Sequence, residues 1–219
     1  MKKLFIISLL NIGITFCYGQ QKQCSCNDNE AMKEAPISCE TILLKNKAKL
    51  YWQFNCNKIW LTLQNNIGKK IVINEVNIDL YSYVYRLGYH LIKEYKNSLL
   101  FRNGCSANGP CVYKLINKSN GQKIKEFNQL ICIDTDIETE NPHNYKYNFL
   151  VYLSDSANYL NVYFIDTKKV IKVPFKFELT SVMPNNQFEK IEVKNNILTL
   201  YFEEKNENQI FKINLNNKS

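Results

Sequence analysis

The stretch from Asn97 to Phe127 constrains the fold of this chain more than any other. It contains three short apolar runs, and the turns between them are Cys105-Ser-Ala-Asn-Gly-Pro-Cys111 and Asn117-Lys-Ser-Asn-Gly121. Short apolar runs bounded by turns rich in Asn, Gly, Pro and Ser predict antiparallel strands joined as a meander. A meander defines an architecture but no reaction, so this stretch predicts the fold and leaves the function open.

The same arrangement recurs along the chain. Runs equivalent to the second strand of a unit start near Lys49, Asn97, Asn148 and Asn196, a spacing of about 50 residues. Each start is followed by an apolar run, a turn and a second apolar run, and the first three units then add a third run. The chain therefore contains about four related units.

A period of 40–50 residues with four short strands resembles the blades of a small β-propeller. The resemblance implies an all-β fold of repeated antiparallel meander units in a single domain over residues 37–219. It also implies that the segment from Ser38 to Leu44 supplies the missing last strand and closes the ring. No Trp-Asp, kelch or other blade motif is present, and an up-and-down barrel or a β-sandwich is the alternative.

Residues 79–95 fit two patterns. The tyrosines at alternate positions suggest a strand, whereas Leu80, Val84, Leu87 and Leu91 also share one face of a helix. Gly88 and the density of Tyr favour a strand from about Gly88, preceded by an irregular or helical lead-in.

The N-terminus has the layout of a secretory signal peptide. A basic start, Met1-Lys-Lys3, precedes an apolar stretch that ends at Phe16, and small Gly19 marks the expected cleavage site. The apolar stretch is shorter than the roughly 20 residues that span a bilayer. We expect residues 1–19 to be removed, residues 20–36 to form a polar arm, and the protein to reach a bacterial periplasm or the exterior without a transmembrane segment.

Seven of the eight cysteines follow the expected cleavage site. In an exported chain such cysteines predict disulfides, and Cys105 and Cys111, which flank a Gly-Pro turn, form the preferred pair. Cys24-Ser-Cys26 has one intervening residue, a spacing that fits neither a redox Cys-x-x-Cys motif nor a zinc knuckle.

The formal net charge of +8 comes from scattered lysines. Lys168, Lys169, Lys172 and Lys176 alternate with apolar residues or lie in turns, which is typical of the solvent-facing side of a half-buried strand. A nucleic-acid site would instead cluster Lys and Arg on one element. The sequence therefore predicts no nucleic-acid partner.

No motif marks a catalytic or cofactor-binding residue. The histidines, His90 and His143, lie in no recognisable Ser-His-Asp, Cys-His or metal-binding context. The prediction is a protein without enzymatic activity or cofactor.

Two further segments carry candidate sites. The loop residues Asp134, Asp136, Glu138 and Glu140 offer carboxylates for Ca²⁺, but they lack the spacing of an EF-hand loop and are more typical of a solvated loop. Ser156 lies in Asp155-Ser-Ala157, which matches a short acceptor pattern for O-glycosylation in some exported bacterial proteins.

The function expected from these features is that of an exported, non-enzymatic binding or interaction protein. It would contact a protein or a glycan through loops at the strand ends, the Cys105–Cys111 and Asp134–His143 loops, since binding residues concentrate on loops of rigid scaffolds. The alternatives are a periplasmic inhibitor or immunity-type protein, and a hydrolase with an unrecognised site near His143.

Overall fold

The computed structural model describes residues 23–26, 37–106, 109–134, 138–139, 147–204 and 207–216. Within these ranges the chain forms sixteen strands, which are arranged in four sheets of four strands each. The helical elements described are short: a 3₁₀ segment Ile78–Tyr83, the single helical turn α1 (Val84–Leu87) and a 3₁₀ turn Pro184–Gln187. The prediction of an all-β fold is confirmed.

The first two sheets are simple antiparallel meanders, each formed by consecutive strands. The first sheet consists of β1 (Ile42–Leu43), β2 (Lys49–Phe54), β3 (Lys58–Gln64) and β4 (Lys70–Asn77). The second sheet consists of β5 (His90–Glu94), β6 (Ser98–Cys105), β7 (Cys111–Asn117) and β8 (Lys123–Phe127).

The last two sheets are interleaved in the chain, because β10 leaves the third sheet to join the fourth. The third sheet consists of β9 (Leu130–Ile133), β11 (Phe149–Leu153), β12 (Tyr159–Phe164) and β13 (Val170–Pro174). The fourth consists of β10 (Glu138–Thr139), β14 (Phe188–Lys194), β15 (Ile197–Glu204) and β16 (Glu207–Asn214). The β10–β14 pair is parallel, whereas the other strand pairs are antiparallel.

The repeat spacing inferred from the sequence corresponds to real strands. The predicted starts near positions 49, 97, 148 and 196 match the beginnings of β2, β6, β11 and β15. The predicted strand after Gly88 is β5, and the 3₁₀ segment and α1 form its helical lead-in.

The prediction that the segment from Ser38 to Leu44 supplies the last strand of the ring is wrong. Within the segment from Ser38 to Leu44, Ile42 and Leu43 pair with Leu50 and Lys49 of β2, so this segment opens the first sheet. A short turn joins it to β2, and closing so short a loop costs little entropy. The fourth sheet gains its extra strand from β10 instead.

The four sheets pack on one another in chain order. In β6, Leu99 and Phe101 pack against the first sheet, while Leu100 packs against the third. In β11, Leu150 packs against the second sheet, while Phe149 lies in the cluster shared with the fourth. Successive side chains of a strand point to opposite faces, so strands that are apolar at every position are buried on both faces.

The outer face of the fourth sheet differs from these seams. On the fourth sheet, Tyr201 lies on the face opposite the buried cluster and donates a hydrogen bond to Glu192, 2.9 Å away. The described residues form no buried cluster that joins the fourth sheet to the first.

Three cysteine pairs lie at disulfide distance: Cys24–Cys39, Cys26–Cys56 and Cys105–Cys111. The first two attach the polar arm to the first sheet, and Gln23 extends this attachment because its carbonyl accepts the Phe54 N–H at 2.9 Å. Cys132 is buried in the core between the third and fourth sheets. None of the helical elements described is long and apolar enough to cross a membrane.

Substitution of two glycines with positive φ can test how the second sheet packs on the first. Gly121 has a φ of 69°, and a Cβ on this residue would lie 2.7 Å from Ile71 Cγ2. Gly104 has a similar φ of 63°, but a Cβ on Gly104 would have no atom within 4 Å. Left-handed backbone costs an L-residue roughly 1–2 kcal/mol, and overpacking adds about 1–3 kcal/mol.

We therefore expect Gly121→Ala to lower the free energy of unfolding by about 1–3 kcal/mol more than Gly104→Ala does. Urea denaturation of both variants measures this difference. Equal losses would mean that the β7–β8 turn does not press against β4.

Candidate functional site

One end of the stack is formed by turns from different sheets. Strands of a meander alternate in direction, so the connection between strands one and two lies at the same end as that between strands three and four. At this end, Asn46 lies in the β1–β2 turn, Asn66 in the β3–β4 turn, Asn97 in the β5–β6 turn and Lys168 in the β12–β13 turn. Polar side chains that are distant in sequence thus share one surface.

These turns enclose two adjoining cavities of about 510 and 450 Å³, which together we call the end groove. The first cavity spans the first three sheets, and the second lies between the second and third. Asn117, Ile124 and Lys168 line both. The end groove contains five lysines: Lys96, Lys118, Lys123, Lys125 and Lys168.

A buried ion pair forms the floor of the end groove. Lys118, only 3% exposed, places its Nζ 2.5 Å from Oε1 of Glu94. The same carboxylate oxygen accepts the backbone N–H of Lys45 in the first sheet at 2.8 Å, and Lys118 Nζ also donates to the carbonyl of Lys96 at 3.3 Å. The pair therefore joins three turns of two sheets at one point.

A buried asparagine adds a second link between the same sheets. Asn65, 6% exposed, donates from Nδ2 to the carbonyl of Ser119 at 2.9 Å, while its Oδ1 accepts the N–H of Lys69 at 2.9 Å. Both polar ends of this amide are satisfied, which is what burial of an amide requires. The β3–β4 and β7–β8 turns are thus held at a fixed separation.

Removing Lys118 should be costly because it leaves the Glu94 carboxylate without its buried cation. We expect Lys118→Met to lower the free energy of unfolding by about 3–5 kcal/mol. The double variant Lys118→Met/Glu94→Gln should recover part of this loss, because no uncompensated charge then remains. Chemical denaturation of the single and double variants, treated as a double-mutant cycle, measures both effects; additive losses would contradict the pairing.

The lysines of the end groove differ in how well their charge is neutralised. Glu94 neutralises Lys118, and Glu126 lies 3.0 Å from Lys123. The hydrogen bond from Lys123 is the main cause that lowers the pKa of the Glu126 carboxyl, so this group is ionised at neutral pH. For Lys96, Lys125 and Lys168, no carboxylate of the described residues lies within ion-pair distance.

Lys125 is held in place by aromatic rings. Its Nζ lies 5.3 Å from the ring centroid of Tyr152, 5.5 Å from that of Tyr163 and 5.8 Å from that of Phe127. A cation at these distances is attracted by the ring faces. Burial raises the pKa of the Tyr163 phenol, which is therefore neutral at physiological pH and adds no negative charge.

Lys168 occupies a backbone position that favours glycine. Its φ is 59°, and its N–H bonds to the carbonyl of Phe164 at 2.8 Å. The equivalent positions of the β3–β4 and β7–β8 turns are Gly68 and Gly121, with φ of 86° and 69°. A lysine at this position therefore carries backbone strain that its counterparts avoid.

We expect Lys168→Gly to raise the free energy of unfolding by about 0.5–1 kcal/mol, since relief of strain exceeds the greater entropy of unfolded glycine. Ala157, with a φ of 54° in the β11–β12 turn at the opposite end, is the matched control. Ala157→Gly should give a gain of similar size. Thermal denaturation measures both, and a loss of stability in Lys168→Gly alone would show that the lysine side chain makes a structural contact.

The structure places one candidate calcium ligand in a different role. Asp134, 7% exposed in its side chain, accepts a hydrogen bond from Lys93 Nζ at 2.5 Å and another from the Tyr95 hydroxyl at 3.1 Å. Its carboxylate thus links the end of β9 to β5 of the second sheet. Asp136, Glu140 and the side chain of Glu138 lie outside the described residues. Those residues that are described contain no group of three potential metal ligands.

The predicted Cys105–Cys111 pair lies at the opposite end of the stack, where it closes the β6–β7 hairpin. Pro110, Cys111 and Tyr113 line a cavity of about 260 Å³ together with Met183 and Asn185. Ser156, the candidate glycosylation position, is exposed in the β11–β12 turn at this same end.

The structure places His90, one of the two histidines, in the second sheet. It lies opposite Arg102 in the β5–β6 ladder, and its buried Nε2 has no hydrogen-bond partner among the residues that the structure describes. A nucleophile–base pair requires a hydrogen bond between the two groups. His143, the other histidine, lies outside the described residues.

Sequence reasoning missed the end groove because its lysines are far apart in the chain. Lys96, Lys125 and Lys168 belong to three different elements that are widely separated in the sequence. The signal available was the repeat itself: Gly68-Lys-Lys70, Gly121-Gln-Lys123 and Lys168-Lys169 follow the same turn in three successive units. Aligning these turns would have placed Lys123 and Lys168 at one end, although not Lys96 or Lys125.

Comparison of the chain with models of known protein families and with curated protein sequences finds no match. Functional inference therefore depends on the geometry and chemistry of the end groove.

Proposed function

We propose that this is an exported, non-enzymatic binding protein whose ligand occupies the end groove. The leader-like N-terminus supports export, as do the three cysteine pairs, because disulfides persist in oxidising compartments. The ligand is a protein or a glycan of the periplasm or cell envelope.

The observation that carries this proposal is the rigid construction of the end groove. Its turns are fixed by the Lys118–Glu94 ion pair and by the buried Asn65 amide, while polar groups of Asn66, Asn97 and Lys168 are exposed at its rim. A preorganised polar surface loses little entropy when a ligand binds. A surface needed only for solubility requires no such bracing.

In this proposal the end groove replaces the Cys105–Cys111 and Asp134–His143 loops as the predicted binding surface. The cystine hairpin lies at the other end of the stack, and Asp134 is engaged by Lys93 and Tyr95. The proposed ligand is still bound by turns at the strand ends, but by the turns of the end groove.

The test compares two triple variants with the unmodified protein. Lys96→Gln/Lys125→Gln/Lys168→Gln removes the uncompensated charges of the end groove. Lys172→Gln/Lys176→Gln/Lys212→Gln removes the same number of charges from exposed positions elsewhere. Each purified protein is immobilised and incubated with solubilised envelope material from the native cell, and the retained protein and carbohydrate are quantified.

We expect the unmodified protein and the second variant to retain a stoichiometric partner, and the end-groove variant to lose it. Equal retention by both variants would exclude the end groove as the binding site. Thermal denaturation of both variants serves as the control for folding.

We also propose that the four sheets are arranged as the blades of a small propeller. Four-stranded sheets that pack face to face in chain order support this arrangement. The burial of Tyr51, Trp60 and Thr62 supports it further, because they lie on the face of the first sheet that is turned away from the second.

Chemical cross-linking tests the ring. Stacked sheets lie about 10 Å apart, so in an open stack the first and fourth sheets are separated by about 30 Å and their outer faces by more. A closed ring brings Lys58 within reach of Lys190 or Lys212 for a short amine-reactive reagent. Absence of these links, with Lys96–Lys168 links formed as the positive control, would exclude the ring.

A further inference from the structure

We infer that the end groove binds an anionic polysaccharide, through carboxylate or sulfate groups spaced along a hydroxyl-rich chain. This inference depends on the proposed binding function and assigns the chemical class of its ligand. The two kinds of anionic group share one requirement, which is a set of fixed cations beside neutral hydrogen-bonding groups.

The charge of the end groove supplies the first half of that requirement. Two of its five lysines are neutralised by Glu94 and Glu126, and Asp166 is the one carboxylate among the described lining residues. Asp166 in turn accepts a hydrogen bond from Asn148 Nδ2 at 2.9 Å. A surplus of about two positive charges therefore faces the cavity, and such a concave surface concentrates anions.

The placement of these cations fits an extended ligand. Lys96 belongs to the second sheet and lines the first cavity, while Lys125, in β8 of the same sheet, lines the second and is held by the rings of Tyr152 and Tyr163. Lys168 belongs to the third sheet and lines both cavities. A ligand that reaches all three crosses from one sheet to the next. Cations distributed over two cavities and two sheets suit repeated anionic groups better than one compact anion.

The neutral lining supplies the second half. The exposed side chains of Asn66 and Asn97 make no hydrogen bond with any described residue, and each offers both a donor and an acceptor. Sugar hydroxyls likewise donate and accept, so they match side-chain amides. Ser119 adds an exposed hydroxyl on the same rim, which donates its own hydrogen to Asn117 Oδ1 at 2.7 Å and can accept one from a ligand.

The lining residues disfavour a nucleic acid. Single-stranded nucleic acids stack their bases on aromatic side chains, but Tyr163, the one aromatic residue among the described lining, is only 4% exposed. Phosphate recognition in two-point geometry favours arginine, and the cations here are all lysines.

The backbone of Lys168 gives an independent indication. The two equivalent turns have glycine where this turn has a strained lysine, and that lysine is the cation that lines both cavities. Unfavourable backbone geometry is often retained where a side chain is required for function. Lys168 is therefore the central cation of the proposed ligand site.

The experiment uses pairs of oligosaccharides that differ only in charge. A carboxylated oligogalacturonate is compared with its methyl-esterified form, and a sulfated oligosaccharide with its desulfated form. Binding to the purified exported protein is measured by isothermal titration calorimetry at low and high salt.

We expect one charged member to bind at least about 10-fold more tightly than its neutral counterpart, with weaker binding at high salt because the contacts are screened. Which charged member binds identifies the anionic group. Lys168→Gly should weaken this binding by about 2- to 5-fold, whereas Ala157→Gly should leave it unchanged. The Lys96/Lys125/Lys168 variant should weaken it by about 10- to 100-fold, and the Lys172/Lys176/Lys212 variant by less than about 2-fold.

Equal binding of charged and neutral members would overturn the inference, as would failure of both charged members to bind. If the end-groove variant instead loses an envelope protein or a neutral glycan, the proposed binding function stands and the assigned ligand class is wrong. Equal weakening in both triple variants would reduce the effect to non-specific attraction by net charge and would also overturn it.

Discussion

Burial of each sheet against its neighbour in the chain is the constraint on which this structure depends. A four-stranded sheet with one apolar face cannot be stable alone in water, and the inner two sheets here are apolar on both faces. Leu99 and Leu100 are adjacent in sequence, yet each is fully buried in a different seam. At about 25 cal/mol per Å² of apolar area, these seams dominate the favourable free energy of folding.

The same packing determines where polar groups gather. Once the sheets are stacked, turns from successive sheets meet at the ends, and their unpaired backbone and side-chain groups must be satisfied there. The Lys118–Glu94 pair and the Asp134 contacts to Lys93 and Tyr95 meet this need at one end. Buried ion pairs contribute little net stability, but they penalise alternative arrangements in which either charge is left alone. They therefore fix the geometry of the end groove more than they stabilise the fold.

Much of the architecture was predictable because it is local in sequence. Turn residues and alternating apolar side chains define each hairpin, so the starts of β2, β6, β11 and β15 could be located within a residue or two. The pairing of Ile42 and Leu43 with β2 was missed because a two-residue strand carries no periodic pattern. Strand β10 is equally short, and its partner β14 is distant in sequence.

The end groove was not predictable by the same reasoning, for a physical reason. Its charge depends on which lysines have a carboxylate partner, and pairs such as Lys118–Glu94 connect turns that only the folded structure brings together. Asp134 shows the converse case. In the sequence it is one of several loop carboxylates, but in the fold its two oxygens are already engaged.

The crossing of β10 into the fourth sheet also imposes an order of assembly. The first two sheets are continuous in the chain, so each can form from local hairpins as soon as its residues are available. The fourth sheet is different, because Glu138 of β10 lies between β9 and β11 in the chain, whereas its partner Glu192 belongs to the later strand β14. Until β14 arrives, that segment has no strand to pair with. The four strands of the third sheet all precede β14 in the chain, so that sheet can form first, and the fourth sheet is the one whose completion depends on a segment set aside earlier in the sequence.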